Sequence, residues 1–174
     1  LRAGWPGIAA SGGPLVDPMR GSGTLPIEAV LMATDWAPGL LRDAFGFLRW
    51  RGHEPQLWRA LLDEARERKA EGLTKVPPIF GYDADERAVR RARENAARAG
   101  VSHLIRLEHR DLGDLNAPPG TGLLIVNPPY GERLGELEAL EPLYAQLGER
   151  LKASFQGWQA AVFTGNPELG KQMG

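Results

Sequence analysis

Gly122-Leu-Leu-Ile-Val-Asn-Pro-Pro-Tyr130 joins an apolar strand to a motif that cannot continue it. Two consecutive prolines supply no ladder N–H, so the strand ends at the motif. What remains is a stiff platform at a strand end. The Asn127 side-chain oxygen and the Pro128 carbonyl can both accept hydrogen bonds from one planar amino group, while Pro129 stiffens the turn. The Tyr130 ring can lie flat against the heterocycle that carries the amine. Asn127, Pro128, Pro129 and Tyr130 are therefore the candidate catalytic residues, equipped for methylating an exocyclic amine. Standing alone, the tetrapeptide is equally well explained as a Pro-rich turn closing a buried strand.

A second motif lies upstream. Pro14-Leu-Val-Asp17 reads as a short strand, Pro18-Met-Arg-Gly-Ser-Gly-Thr24 as a glycine loop, and Leu25 to Thr34 as a helix with Ile27, Val30 and Leu31 on one side. Gly21 and Gly23 let the backbone turn tightly and approach a ligand. No Lys follows the glycines, so the loop is not a P-loop, and the third glycine of the dinucleotide fingerprint is missing. Asp17 at its mouth repels a pyrophosphate but suits a cationic amino group, such as that on the methionine end of S-adenosylmethionine. Asp17, Gly21, Gly23 and Thr24 are assigned to that cofactor.

Ile79-Phe-Gly-Tyr-Asp83 ends a third apolar run with an acid, and Ala84-Asp85 leads into a helix from Glu86 to Ala99. An acid at that position grips ribose hydroxyls in nucleotide-binding sheets. Leu104 to His109 reads as another strand, followed by Asp111 and Leu112 where an adenine amino group and face would sit. Each Asp taken singly is as well explained as a turn residue or helix cap. Their joint placement decides: Asp17, Asp83, Asp111 and Asn127 each follow a strand, and an open parallel sheet brings all strand C-termini to one edge. Asn127 thus faces both the cofactor and the acceptor amine.

Leu15 to Ala29, Gly81-Tyr-Asp-Ala-Asp85 and Asn127 to Gly135 resemble the methylase domain of the THUMP-containing RNA methyltransferases, the UPF0020-type RNA methylases. Within that family the likeness is to the guanine-N2 methyltransferase half of the bacterial bifunctional 23S rRNA enzymes, and it extends to Phe45-Gly-Phe47 and Val162 to Asn166. It implies an α/β fold: the Rossmann-like sheet of class I S-adenosylmethionine-dependent methyltransferases, flanked by helices. In the family an antiparallel hairpin closes one edge, and the chain reads as stopping before it, as a fragment of a longer enzyme. The resemblance also implies an RNA substrate, 23S rRNA, bound largely through other domains. The family carries Cys where this chain has Arg20, so Arg20 is expected to point away from the cofactor or to impair its binding.

Composition sets outer limits. A chain of 174 residues fits one domain, 1–174, with Trp36 to Val76 read as a helical insertion. The absence of Cys excludes disulfides and fits a reducing cytoplasm; no apolar run reaches bilayer length, and no signal-peptide pattern opens the chain. A cytoplasmic enzyme without membrane contact is expected. His53, His103 and His109 lack ligand spacing, so no metal is expected. Formal net charge is −1, so phosphate contacts must come mainly from elsewhere. Arg87, Arg90, Arg91, Arg93 and Arg98 share one helix, where a solvated face laced with Glu86 and Glu94 explains them better than an RNA surface.

In the insertion, Leu57, Trp58, Leu61, Leu62 and Ala65 recur at helical spacing between Glu54 and Glu71, and core packing is the expected explanation. Trp36, Trp50 and Trp58 are read as core or interface anchors. Leu1 to Trp5 reads as the tail of a helix preceding the first strand. A strand from Gln159 to Thr164 would leave an open edge. The acceptor motif also suits adenine N6 in DNA or a glutamine side chain in protein, and Arg20 leaves room for a cofactor-binding module without catalysis. RNA guanine rests on the resemblance.

Overall fold

Five short apolar runs become one parallel sheet: β1 (Leu15–Asp17), β2 (Ile79–Asp83), β3 (Arg106–His109), β4 (Leu123–Val126) and β5 (Gln159–Val162), in the order β3-β2-β1-β4-β5. The computed structural model describes residues 2–131 and 134–174, apart from the side chains of 134–137. No antiparallel strand occurs among the described residues. Strand burial follows position, as expected of a sheet covered on both faces. Central β1 is wholly buried, whereas Leu107 alone is buried on edge strand β3 and no residue of edge strand β5 is.

Helices α1 (Trp5–Ala10), α2 (Thr24–Ala33) and α4 (Glu86–Arg98) cover one face, where Ala29, Val30, Ala92 and Ala96 pack on Leu15, Ile79, Leu107 and Leu123. Helix α5 (Leu134–Ser154) covers the other, setting Leu147 and Phe155 against Val16, Phe80, Tyr82, Leu124 and Val126. Small alanines on α4 let that helix lie close to the sheet while its arginines stay outside.

Several sequence-based expectations need correction. Trp5 opens a helix rather than closing one: Gly4 takes a left-handed φ of 68°, Pro6 occupies the first turn, and the Trp5 indole N–H donates to the Ala29 carbonyl at 2.9 Å. Leu1 lies outside the described residues. The strand expected from Leu104 begins at Arg106, because Ser102–Leu104 forms a 3-10 turn, and β5 stops at Val162, two residues short of Thr164.

The insertion differs most. Helix α3 (Pro55–Leu73) has no buried residue, and Leu57, Leu61 and Trp50 are 56%, 49% and 73% exposed. The stripe does not reach the main core. Trp58 instead packs edge-on against Phe45 and Phe47, with ring centroids at 5.1 and 4.9 Å, forming a local aromatic cluster. Topology explains why. Helix α2 starts at the C-terminal edge of the sheet and β2 starts at the opposite edge, so the residues between them sit at that opposite edge. Gly72 accordingly abuts the backbone of Thr34, just past α2, and the Trp36 ring lies beside Gly100, just past α4.

Candidate active site

All four strand pairs are parallel, so Asp17, Asp83, His109 and Val126 end on one edge. The sheet order runs from β1 through β2 to β3 one way and through β4 to β5 the other. The switch point, where open α/β sheets bind ligands, therefore lies between β1 and β4. Val16 pairs with Leu124, so β4 continues through Ile125 and Val126 before Asn127 emerges.

Asp17 is fully buried. Its Oδ1 accepts from the Met19 N–H at 3.1 Å, while Oδ2 is buried without a partner among the described residues. Burial raises its carboxyl to about 7, opposed by the Met19 N–H and the charge of Arg20 and reinforced by Asp83. A buried acid with a raised proton affinity and one orphan oxygen is matched to a cationic hydrogen-bond donor.

The loop after it is tied across the sheet edge. Arg20 N–H donates to the Tyr82 carbonyl at 3.1 Å and Gly21 N–H to Asp83 Oδ2 at 2.9 Å. Gly21 has φ 53° and faces open space, whereas Gly23 has φ 84° and presses against Ala92, where a side chain would strike α4. Thr24 opens α2, its hydroxyl 3.0 Å from that of Ser22. The loop thus leaves open space at Gly21, while the Asp17 carboxylate at the end of β1 stays buried.

Arg20 is folded beneath this loop, 4% exposed, with its Nε donating to the Gly81 carbonyl at 3.0 Å. Gly81 makes the space: a Cβ there would stand 2.5 Å from Arg20 Cδ. Both Nη atoms are buried without partners among the described residues, and burial lowers the guanidinium's proton affinity against the attraction of Asp83 and Asp17. The cation lies on the α4 side of β2 as a neighbour of both acids.

Asp83 already has backbone partners: Oδ2 accepts from Gly21 N–H at 2.9 Å and Oδ1 from Asp85 N–H at 3.0 Å. Each oxygen keeps further lone-pair capacity for a hydroxyl. Asp85 caps α4 through Arg87 N–H, Ala84 is exposed, and its carbonyl lies 2.9 Å from His109 Nε2. Asp111 is exposed at the start of a 3-10 turn, Leu112–Asp114. That turn carries Leu112 inward to pack with Leu115 and Leu147, 8% exposed, so Leu112 does not offer an open face to the edge.

After β4 the backbone turns away as the prolines require. Pro128 is buried, Asn127 and Pro129 are exposed, and Tyr130 is 39% exposed. Among the described residues, neither the Asn127 side chain nor the Pro128 carbonyl is engaged in a hydrogen bond; Glu132 and Arg133 of the same sequence motif lie outside the described residues. Sequence reasoning missed three neighbours. The Tyr144 hydroxyl, on α5, lies 3.2 Å from the Pro129 carbonyl and 3.0 Å from the Thr164 hydroxyl, and Gly165 lies against the Tyr130 ring. No spacing rule links these segments.

The α4 arginines form no ion pair among the described residues, although Arg93 donates to the Leu107 carbonyl at 2.8 Å. No group of acids and histidines able to hold a metal occurs among the described residues, and no described helix is long and apolar enough to cross a membrane. A cavity of about 590 Å³ lies in the insertion, lined by Phe45, Trp58, Leu62, Arg66 and Lys69. It belongs to the opposite edge and is not the strand-end site.

Comparison with known proteins places these features in context. The family model described as the RMKL-like methyltransferase domain, UPF0020, matches residues 6–174. The ribosomal RNA large subunit methyltransferase K/L of Syntrophotalea carbinolica is 56% identical over 178 residues, covering all of this chain and 25% of the relative. The chain thus spans about a quarter of the curated relatives it matches. Two solved structures superpose over 92% of the chain and 41% of their own length. One is SMU.472, described as a methyltransferase complexed with SAH, at 32% identity and TM-score 0.81. The other is from Listeria monocytogenes, described as a predicted N6-adenine-specific DNA methylase, at 34% identity and TM-score 0.83.

Proposed function

The chain belongs to the UPF0020 family of RMKL-like methyltransferase domains, and on that premise we propose that it transfers a methyl group from S-adenosylmethionine to the exocyclic amine of a base in RNA, guanine N2 of large-subunit (23S) rRNA. The observation that carries this reading is the Asn127 side chain and Pro128 carbonyl, set directly after the strand beside the switch point and without hydrogen-bond partners among the described residues. The names of the curated relatives support rRNA as the substrate.

When bound, S-adenosylmethionine supplies an already activated methyl group. The residues present fit it. Asp17, with its orphan buried Oδ2, would take the ammonium of the methionine end; Gly21, open and left-handed, would admit the backbone's close approach; Asp83 would take ribose hydroxyls with its remaining lone pairs. Thr24 and Ala84 would line the same edge, and Asp111 would accept from the adenine amine, with Leu112 confined to supporting that turn from the core.

The protein's task is alignment and charge stabilisation. Guanine N2 is a weak nucleophile because its lone pair is delocalised into the ring. Two acceptors on its hydrogens, Asn127 Oδ1 and the Pro128 carbonyl, favour pyramidalisation and stabilise the positive charge that develops on attack. The Tyr130 ring supports the base face, and no strong base is required because the amine proton becomes acidic after transfer. In this reading the chain is the methyltransferase domain, 1–174, of a longer cytoplasmic enzyme whose grip on RNA lies mostly outside it, as its formal charge of −1 suggests.

Asn127→Ala tests the assignment. Single-turnover transfer should fall by about two orders of magnitude, the cost of removing one acceptor of transition-state charge, while cofactor affinity measured by calorimetry changes little. A variant with near wild-type rate rules the role out. The description of the Listeria relative favours a second reading, adenine N6 in DNA. Labelled transfer to unmodified rRNA and to adenine-containing DNA separates the two.

A further inference from the structure

The acceptor loop is held at its second proline by a side chain far from it in sequence. Tyr144 is 0% exposed, and its hydroxyl lies 3.2 Å from the Pro129 carbonyl and 3.0 Å from the Thr164 hydroxyl. Thr164 Oγ1 in turn accepts from Asn166 N–H at 3.1 Å and lies 3.2 Å from the Asn166 carbonyl. Two hydroxyl protons face three oxygen contacts. The loop is tied down whenever the Tyr144 proton goes to the Pro129 carbonyl, with the Thr164 proton going either to Tyr144 or to the Asn166 carbonyl; if Tyr144 donates to Thr164 instead, Pro129 is left without its donor.

A second observation concerns the aromatic ring of the motif. Gly165 lies flat against Tyr130, and a Cβ at residue 165 would stand 3.2 Å from Tyr130 Cδ2, closer than an ordinary contact. Tyr144 and Thr164 thus fix the turn carrying the Pro128 carbonyl, while the next residue after Thr164 forms the backstop of the ring. The segment after β5 and helix α5 thus both contact the motif, and each other through the Tyr144 and Thr164 hydroxyls.

We infer that Tyr144, Thr164 and Gly165 are positioning residues for methyl transfer: a buried hydroxyl pair and a bare backbone surface that hold the Asn127-Pro-Pro-Tyr130 loop in the orientation that receives an amine. This rests on the proposed role of that loop. Such a latch is placed to act on turnover more than on cofactor affinity, because none of its contacts involves Asp17, Asp83 or the glycine loop.

The chain has three tyrosines, Tyr82, Tyr130 and Tyr144, so uniform labelling with 3-fluorotyrosine gives one fluorine resonance for each. Tyr82, buried in the core at 5% exposure, reports the fold. In Thr164→Val, which keeps the shape but loses the hydroxyl, the Tyr144 and Tyr130 resonances should move while that of Tyr82 holds. Thr164→Ser should restore them. Methyl transfer in Thr164→Val and Tyr144→Phe should fall about five- to tenfold with unchanged cofactor affinity, the worth of one or two hydrogen bonds. A Tyr130 resonance unmoved in both Thr164→Val and Tyr144→Phe overturns the inference. Should Thr164→Val also disturb Tyr82, Tyr144→Phe alone decides. If Asn127→Ala transfers methyl at the wild-type rate, the loop's catalytic role is lost, whereas the resonances still report whether the latch holds the loop.

Discussion

Replacing Asp17 by Asn isolates a charge that the fold holds at a cost. The native carboxyl is raised from 3.8 to about 7, chiefly by burial. A raised acid means that the folded protein keeps a proton which the unfolded chain releases between those values. Stability therefore declines as pH rises from about 4 to about 7, and the loss persists above that range. At 1.36 kcal/mol per unit, a shift of about three units corresponds to about 4 kcal/mol, more than half of it lost between pH 5 and pH 8. Asp17→Asn keeps the oxygen that accepts from Met19 and removes the charge. It leaves a buried amide N–H without an acceptor, costing about 1 to 3 kcal/mol, so at pH 8 the variant should be more stable than wild type by about 1 to 3 kcal/mol. Urea unfolding followed by tryptophan fluorescence across this pH range measures it. Function should move the other way. A bound ammonium favours ionised Asp17, so affinity for S-adenosylmethionine should rise about tenfold per pH unit below 7 and level off above, while Asp17→Asn binds weakly with no such slope. Parallel stability profiles for the two proteins, or stability that rises with pH only in wild type, would refute the reasoning.

Other perturbations test neighbouring parts. Arg20→Cys removes the cation that lowers the Asp17 carboxyl, so the step in the pH–stability profile should move to higher pH; a step left in place or moved down shows that the two are not coupled. Asp83→Ala removes the acceptor of Gly21 N–H as well as the proposed ribose partner, and calorimetry should show affinity for S-adenosylmethionine weaker by about ten- to a hundredfold. Leu124→Ala, at a fully buried position, should cost about 2 to 5 kcal/mol in urea unfolding. Leu61→Gln, at 49% exposure on α3, should change stability by no more than about 0.5 kcal/mol, and a large loss would mean that the stripe is core after all.

What the sequence determined by itself is local and backbone-driven. Two prolines end β4 wherever they occur, Gly21 and Gly23 permit left-handed turns, and the apolar runs ending in Asp17, Asp83 and Val126 require a covered parallel sheet. The shared edge follows from that geometry without any knowledge of side-chain contacts. The family resemblance carried the same strand ends to a reaction. Tertiary structure decided what depends on contacts between distant segments. Arg20 reaches the Gly81 carbonyl across 61 residues, and its concealment needs the missing side chain at Gly81. Tyr144 meets Pro129 and Thr164 across 15 and 20 residues, a junction that no periodicity announces. Leu112 read as lying where an adenine face would sit because it follows Asp111, and the 3-10 turn packs its side chain into the core cluster. The stripe on α3 read as core because helical spacing reports which residues share a face, not whether anything covers that face; at the far edge of the sheet Leu57 and Leu61 remain exposed. Spacing along the chain sets where a side chain can point, and only the packing of the other segments sets what it meets there.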